Sequence, residues 1–353
     1  MARTSGAGPT CHGFCAALVA GGALFVPAAF APAADAATKK IAAAARTLRC
    51  FAATRSNEMK ISFIANPTAG RGRTRALVES YAGALSGSSE LLWTQGPGHA
   101  ADLARSAATT SQVVCAFGGD GTVSEVVNGL MPHPVPMVVV PTGSGNDFAS
   151  MVRCPRTPQE LARVIADGMG SRFDVIDCGD RYCANSIGIG FEALVTYHSL
   201  SITKLRGLPL YLLAVFKALR TPGSIRYRLG VDGREAATGE FLLISVGNGP
   251  RAGGGFYLNP SATPTDGMID VCAARKMSRA KLLAILPRAI KGGHVTASGI
   301  EMYRGATVSV SSDTPFPIHI DGEYLGRREK PLELRVIPRI LPVLSLGGSD
   351  KLH

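Results

Sequence analysis

Residues 112–130 read QVVCAFGGDGTVSEVVNGL. The apolar run VVCAF has the length and composition of a buried strand, and VSEVVNGL resumes after the break with apolar residues at helical spacing. Strand, glycine-rich turn and helix in that order form the repeating unit of a parallel α/β sheet. The glycines of GGDGT let the backbone approach phosphate oxygens, and the helix start that follows presents unpaired N–H groups and a positive dipole end to that charge. Taken alone, the same residues also suit a tight turn with Asp120 as the helix cap.

Working outward, three more runs read as strands of the same sheet: KISFIA (60–65), ELLWT (90–94) and PMVVVP (136–141). Helical stretches at 73–86, 98–108 and 122–131 separate them. Two further loops at strand ends, NPTAGRGR (66–73) and PTGSGNDFA (141–149), are also glycine-rich. Three such loops at one sheet edge can hold a nucleotide tail, with Arg71 and Arg73 offering charge and Thr142 or Ser144 a hydroxyl. Asn146 and Asp147 suit either substrate steering or helix capping.

Beyond about residue 172 the pattern changes to closely spaced strands with Gly-rich or Asp-Gly turns, the mark of an antiparallel sandwich. Helical stretches at 207–220 and 278–291 interrupt it, and Pro287 is expected to kink or end the second. The fold class is therefore α/β plus β: a nucleotide-binding domain over 59–172, then a β-rich domain over 173–337. Residues 338–353 form a tail, and the final run at 332–346 is expected to return to the first domain.

Residues 1–58 are a separate problem. Their Ala- and Gly-rich stretch from Gly13 to Ala34 has no charge but is interrupted by Pro27 and Pro32, which makes a poor membrane span. A targeting peptide, a weak anchor and a start at Met59 all remain open. With 46% apolar residues in 353, the chain can bury two cores of ordinary size. Net charge is +11, of which +7 falls after residue 58. A basic surface suits an anionic membrane or a phosphorylated ligand, while few aromatics and no Arg-rich run speak against nucleic acid. The eight cysteines lack zinc-site spacing and read as reduced thiols.

These residues together resemble the diacylglycerol kinase catalytic superfamily, which includes bacterial soluble lipid kinases and sphingosine and ceramide kinases. The resemblance spans Met59 to about Ile337. Besides the three loops it rests on NSIGIGFEALV (185–195), GNGPRAGGGFYLNPSATPTDGMIDV (247–271) and HIDGE (319–323). It implies an active site in the cleft between the domains, where ATP meets a lipid hydroxyl. Asn66, Thr94, Gly118, Gly119, Asp120, Gly121, Thr122, Ser144 and Asn146 would bind ATP, and Asp147 would contact the substrate. In the loop TPTDGM, Asp266 would give a carboxylate and Thr263 and Met268 carbonyl oxygens to Mg²⁺. Glu323 matches the family's proton acceptor for the attacking hydroxyl, with Asp120 as the rival base. Asp321-Gly322, read without the resemblance, is a hairpin turn. Ala69 stands where many relatives have Ser, and Glu192 where the family often has Asp.

The expected reaction is conversion of diacylglycerol to phosphatidic acid. Sphingoid-base or ceramide phosphorylation, NAD phosphorylation and non-catalytic lipid or nucleotide binding are the alternatives. Acid-free basic stretches at 193–231 and 271–300 suit reversible contact with an anionic membrane, and equally a core helix with a solvated basic face. The corresponding expectation is a cytoplasmic, peripherally membrane-associated protein, with a homodimer left open.

Overall fold

The strands of the first domain, apart from the half-exposed edge strand, are buried along nearly their whole length because helices cover both faces of the sheet. In the computed structural model, which describes residues 59–347 apart from 73, 86–88, 132–133, 203, 206 and 222, these are β1 (Ile61–Ala65), β2 (Ser89–Trp93), β3 (Val113–Gly118) and β4 (Met137–Pro141). Pairing is parallel in the order β2-β1-β3-β4. The helices are α1 (Thr74–Ala84), α2 (His99–Thr110), α3 (Asp120–Leu130) and α4 (Pro158–Asp167). Ile64, Val114, Ala116, Met137 and Val139 face α2 and α3, whereas Phe63, Cys115, Phe117 and Val138 face Val78 and Tyr81 of α1 and Leu161 and Val164 of α4. The pattern of alternating faces explains why one strand such as VVCAF is buried at every residue. Helix α4, not anticipated above, starts with a capping box between Thr157 and Glu160 and Pro158 in its first turn.

The chain then builds antiparallel structure through β5 (Gly170–Asp177), β6 (Tyr182–Cys183), β7 (Ser186–Gly190), β8 (Ile225–Val231), β9 (Arg234–Gly247), β10 (Ile269–Arg275), β11 (Ile300–Gly305), β12 (Thr307–Ser312), β13 (Phe316–Ile320), β14 (Glu323–Arg328) and β15 (Leu332–Leu344). Alternate residues of these strands, among them Ile187, Ile189, Leu229, Ile244, Val271, Val308, Ile318 and Leu334, point into one sandwich core. Three helices interrupt the strands: α5 (Phe191–Leu200), α6 (Gly207–Ala218) and α7 (Arg279–Ala289). Pro287 lies inside α7, which runs two residues past it before ending. In the last turn the missing N–H and the ring clash act on few remaining bonds, so the helix tolerates it.

Strand β15 belongs to both halves. Its first residues pair with β12, and Leu341–Leu344 pair with the start of β5, with Val343 set parallel against Met137 of β4. A register shift falls between Ile337 and Leu341, where Arg339 adopts a positive φ of 50°. The two halves thus share one continuous hydrogen-bonded sheet of 15 strands. The expectations for residues 1–58, for Arg73 and for the tail beyond 347 lie outside the described residues, as does the side chain of Arg71. All five described cysteines are free. No helix among the described residues is long and apolar enough to cross a membrane.

Candidate active site

Each candidate nucleotide residue sits at the carboxyl end of a strand in the parallel sheet, where open α/β sheets bind ligands. Asn66 follows β1, and its side-chain amide reaches the Thr122 hydroxyl at 3.4 Å. Thr94 follows β2, is buried, and donates its backbone N–H to Ala65. Gly118 ends β3 against Thr122, and a Cβ there would stand 2.3 Å from the Thr122 Cβ. Gly119 caps α3 with no side-chain hydrogen bond, so the first N–H groups of the helix are not taken by a capping side chain. After β4, Ser144 is exposed and the Asn146 side chain closes its own loop through Gly143 N and O at 3.1 and 2.9 Å. The buried Thr142 hydroxyl has no hydrogen-bond partner among the described residues.

The loops touch through glycines. A Cβ on Gly143 would come 2.4 Å from the Gly119 Cα, and one on Gly145 would come 2.8 Å from Asp120 Oδ2. Asp147 accepts a 2.8 Å hydrogen bond from Gly254 of the second domain. Phe148 N donates to Asp120 Oδ1 at 3.1 Å. Asp120 and Asp147 therefore share the junction of three glycine loops, two from the first domain and Gly253–Gly255 from the second. Burial, then the neighbouring Asp147 charge, pushes Asp120 up from 3.8 to about 6. Asp147 is also raised by burial, against the Gly254 N–H and the Arg251 charge.

Behind these carboxylates lies a cavity of about 130 Å³. Its head carries Asp120, Ser124, Asp147, Asn185 and Asp321, and its body is apolar, formed by Phe191 and Val195 of α5, Val215 of α6, Leu282, Ile285 and Ala289 of α7, and Ala274 of β10. A few polar groups beside a mostly apolar lining suit a lipid alcohol.

Asp321 is the structural centre of this junction. Its carboxylate accepts from Ala184, Asn185 and Ser186 N at 2.9, 2.8 and 3.0 Å and from the Ser124 hydroxyl at 2.9 Å. With φ of 48° at Asp321 and 82° at Gly322, the two residues turn the hairpin from β13 to β14, as the bare reading of Asp-Gly expects. Glu323 follows as the first residue of edge strand β14. Its side chain is 58% exposed, 2.6 Å from the Arg181 guanidinium, and does not line the cavity.

The cation site implied at Asp266, Thr263 and Met268 does not fit the loop as folded. Asp266 accepts from the Met268 N–H at 3.0 Å with one oxygen, and its other oxygen takes the Arg304 guanidinium. Arg304 also lies 3.5 Å from Asp270, and the Asp174 carboxylate is bound to Gly267 and Arg339 N–H groups. The carboxylate that the resemblance gives to Mg²⁺ is thus already paired with a guanidinium. Among the described residues no group of three or more His, Cys, Asp or Glu could hold a metal.

Residues 60–178 match the model of the diacylglycerol kinase catalytic domain, and residues 185–345 match that of the YegS C-terminal NAD kinase beta sandwich-like domain. The chain carries the two domains of the diacylglycerol kinase-type lipid kinases, one after the other. It is 28% identical over 298 residues to a diacylglycerol kinase of Mycobacterium tuberculosis, covering 81% of this chain and 94% of that one. Its fold matches a crystal structure of a diacylglycerol kinase from Bacillus anthracis str. Sterne at a TM-score of 0.61 and 20% identity, covering 83% of this chain and 98% of the other. The protein is accordingly a lipid kinase, and the junction of glycine loops above the apolar cavity is its candidate active site.

The sequence motifs gave no site role to four residues that the fold brings here. Arg251, over the Tyr257 ring at 4.7 Å, has a buried Nε with no hydrogen-bond partner among the described residues and lies near Asp147. Tyr211 of α6 packs on Gly254, where a Cβ would come 2.9 Å from its ring. Glu192 and His319 form a buried pair at 3.3 Å. Arg251, Glu192 and His319 stand inside recognisable blocks, but only the fold brings them to one cavity.

Proposed function

We propose that the kinase transfers the γ-phosphoryl group of ATP to the primary hydroxyl of diacylglycerol, giving phosphatidic acid, with Asp120 as the base. One observation carries this reading: the Asp120 carboxylate opens at once onto the phosphate-type loops and onto the head of the apolar cavity. The ATP phosphates lie along the loop ends at Asn66, Thr94, Gly118 to Thr122, and Ser144 to Asn146, held by backbone N–H groups and the start of α3. Mg²⁺ enters with ATP as part of the substrate. The acyl chains fill the cavity and place the hydroxyl between Asp120 and Asp147. Asp120 takes the hydroxyl proton while the oxygen bonds to the γ-phosphorus; the bond to the β-phosphate oxygen breaks and ADP leaves. Arg251 supplies positive charge beside the transferring group.

Asp120 is favoured over Glu323 because burial tunes it to about 6, near working pH, and because it lines the cavity. Glu323 is exposed and engaged with Arg181.

The outer faces of the helices over the cavity point to a membrane of anionic lipid as the partner, at the cytoplasmic surface. Tyr197 and Leu200 of α5, and Leu213 and Phe216 of α6, are exposed at 51%, 65%, 39% and 55%. Exposed Lys204, Arg220, Arg279 and Lys281 lie on or beside the same helices. Apolar insertion plus about 1 kcal/mol per basic residue gives reversible binding.

The test is a γ-labelled ATP assay on mixed micelles of diacylglycerol, sphingosine or ceramide, with soluble NAD as a separate acceptor. Label in phosphatidic acid is the expected result. Label confined to NAD, or none at all, overturns the reading.

A further inference from the structure

Helix α3 begins at Asp120, and positions 120, 124 and 128 fall on one face of it because four residues nearly complete a turn. The sequence puts Asp, Ser and Asn there, a polar stripe on a helix otherwise buried through Val123, Val126, Val127 and Leu130. The stripe meets the second domain. The Ser124 hydroxyl donates to Asp321 Oδ2 at 2.9 Å. Asn128 takes both backbone groups of Tyr182 in β6: its Oδ1 accepts from the Tyr182 N–H at 2.8 Å, and its Nδ2 donates to the Tyr182 carbonyl at 2.9 Å. A side-chain amide carries the same donor and acceptor as a peptide group, so Asn128 pairs with β6 as a neighbouring strand would. Nδ2 also donates to the Ser124 carbonyl at 2.9 Å, which fixes the side chain against its own helix.

Both links end on one short piece of chain. Asp321 also accepts from the N–H groups of Ala184, Asn185 and Ser186, so Ser124 and Asn128 hold residues 182–186 at two points. Ala184, Asn185 and Ser186 line the cavity beside Asp120 and Ser124. The placement of α3 on this segment therefore sets where Asp120 stands relative to the cavity. Asn128 itself does not line the cavity and lies about 12 Å along the helix axis from Asp120.

We propose that Asn128 and Ser124 are positioning residues for phosphoryl transfer, pinning α3 to residues 182–186 so that Asp120 is held in line with the lipid hydroxyl. The inference rests on the lipid-kinase reading with Asp120 as base, and assigns the alignment of the two halves of that site to one helix face. A misplacement of about 1 Å in such an alignment can cost about 10²-fold in rate.

The experiment uses Asn128→Ala, which removes both links to Tyr182 and substitutes a better helix former. We expect kcat for diacylglycerol to fall about ten- to a hundredfold, with the dissociation constant for ATP within about twofold of the unaltered enzyme. Ser124→Ala should behave alike, and Ser124→Thr, which keeps the hydroxyl, should recover most of the lost rate. Titration of the Asp120 carboxyl, followed by carbon-13 NMR in aspartate-labelled protein, gives a readout that needs no turnover. Around this carboxyl stand Asp147 after β4, Asp321 of the β13–β14 hairpin, Tyr211 of α6 and the N–H groups of Phe148 and Asn146, with Arg251 beside Asp147. Burial, then Asp147 and Asp321, hold its midpoint up at about 6. Freeing α3 admits water and draws Asp321 away, so the midpoint should fall toward the ordinary carboxylate value in Asn128→Ala. A merely structural contact would lower the melting temperature and leave kcat and the Asp120 midpoint where they are in the unaltered enzyme, which would overturn the proposal. Should Asn128→Ala not fold, Ser124→Ala carries the same two readouts. A lowered midpoint in a protein that labels no lipid keeps the positioning of Asp120 by α3 and removes the kinase reading; full lipid labelling by Asn128→Ala with the midpoint unmoved does the reverse.

Discussion

Two carboxylates in one hairpin region, Asp321 and Glu323, differ by two positions and by everything that matters chemically. Asp321 spends its oxygens on three backbone N–H groups and a serine, while Glu323 faces solvent and Arg181. Asp120, by contrast, takes a 3.1 Å bond from Phe148 N on one oxygen and sits at the cavity head with a pKa near 6. We predict that Asp120→Asn lowers kcat by about 10²- to 10⁴-fold while ATP still binds, and that Glu323→Gln costs at least about tenfold less. In the unaltered enzyme kcat should fall about tenfold per pH unit below about 6, because Asp120 is the base only when ionised. The same shift has a stability consequence of opposite sense. The folded protein holds this proton more tightly than the unfolded chain, so the associated stability is complete below 3.8 and is lost as pH rises through about 6. Asp120→Asn should therefore melt higher than the unaltered enzyme at pH 8, by about 2–4 °C in differential scanning calorimetry. GGDGT puts Asp120 at a helix start, where a cap role reads as well as a catalytic one; only the fold sets it beside Asp147 at the cavity. The Glu192–His319 pair is not legible, because its members are 127 residues apart and each alone is an ordinary buried polar residue.

At the scale of elements, the glycine loops work by contact between backbones. Gly143→Ala places a methyl group 2.4 Å from the Gly119 Cα, forcing the second and third loops apart. The expected result is an increase in KM for ATP with the lipid KM little changed, read from initial rates at varied ATP. The loop at Asp266 carries a different expectation. Because Arg304 already neutralises that carboxylate, the thermal unfolding midpoint without ATP should not respond to EDTA or to millimolar Mg²⁺, whereas Arg304→Ala should acquire a response to Mg²⁺. The four parallel strands and the three helices between them were readable from periodicity because each apolar run is bounded by turn residues, whereas α4 was not anticipated. Helix α5 was not: SIGIG runs straight into FEALV, and the change of period occurs at Gly190, whose φ of 76° bends the chain without any capping side chain. The TPTDGM motif was equally readable as a loop, but the partner that takes its carboxylate, Arg304, comes from β11, 38 residues away.

For the molecule as a whole, the proposed function has the lipid leave a bilayer and enter beneath α5, α6 and α7 with its head toward Asp120. On that proposal the exposed apolar residues of α5 and α6 orient the enzyme on the membrane. A double change, Leu200→Glu with Phe216→Glu, should reduce sedimentation with anionic vesicles several-fold, and raised salt should weaken the remaining binding. Soluble short-chain substrate should still be turned over, since neither residue lines the cavity. The general division into an α/β half and a β-rich half follows from the change in strand spacing near residue 172, but the shared strand β15 shows that the halves are joined through the sheet as well as through the cavity. The claim that joins these scales is that the lipid occupies this cavity while ATP occupies the loops above it. Filling the cavity with Ala274→Phe, whose site on β10 is remote from the glycine loops in the chain, tests it directly through label transfer from ATP to diacylglycerol alongside ATP binding by the same variant. The account predicts loss of lipid phosphorylation with ATP affinity retained; full lipid kinase activity in a folded Ala274→Phe enzyme would contradict it.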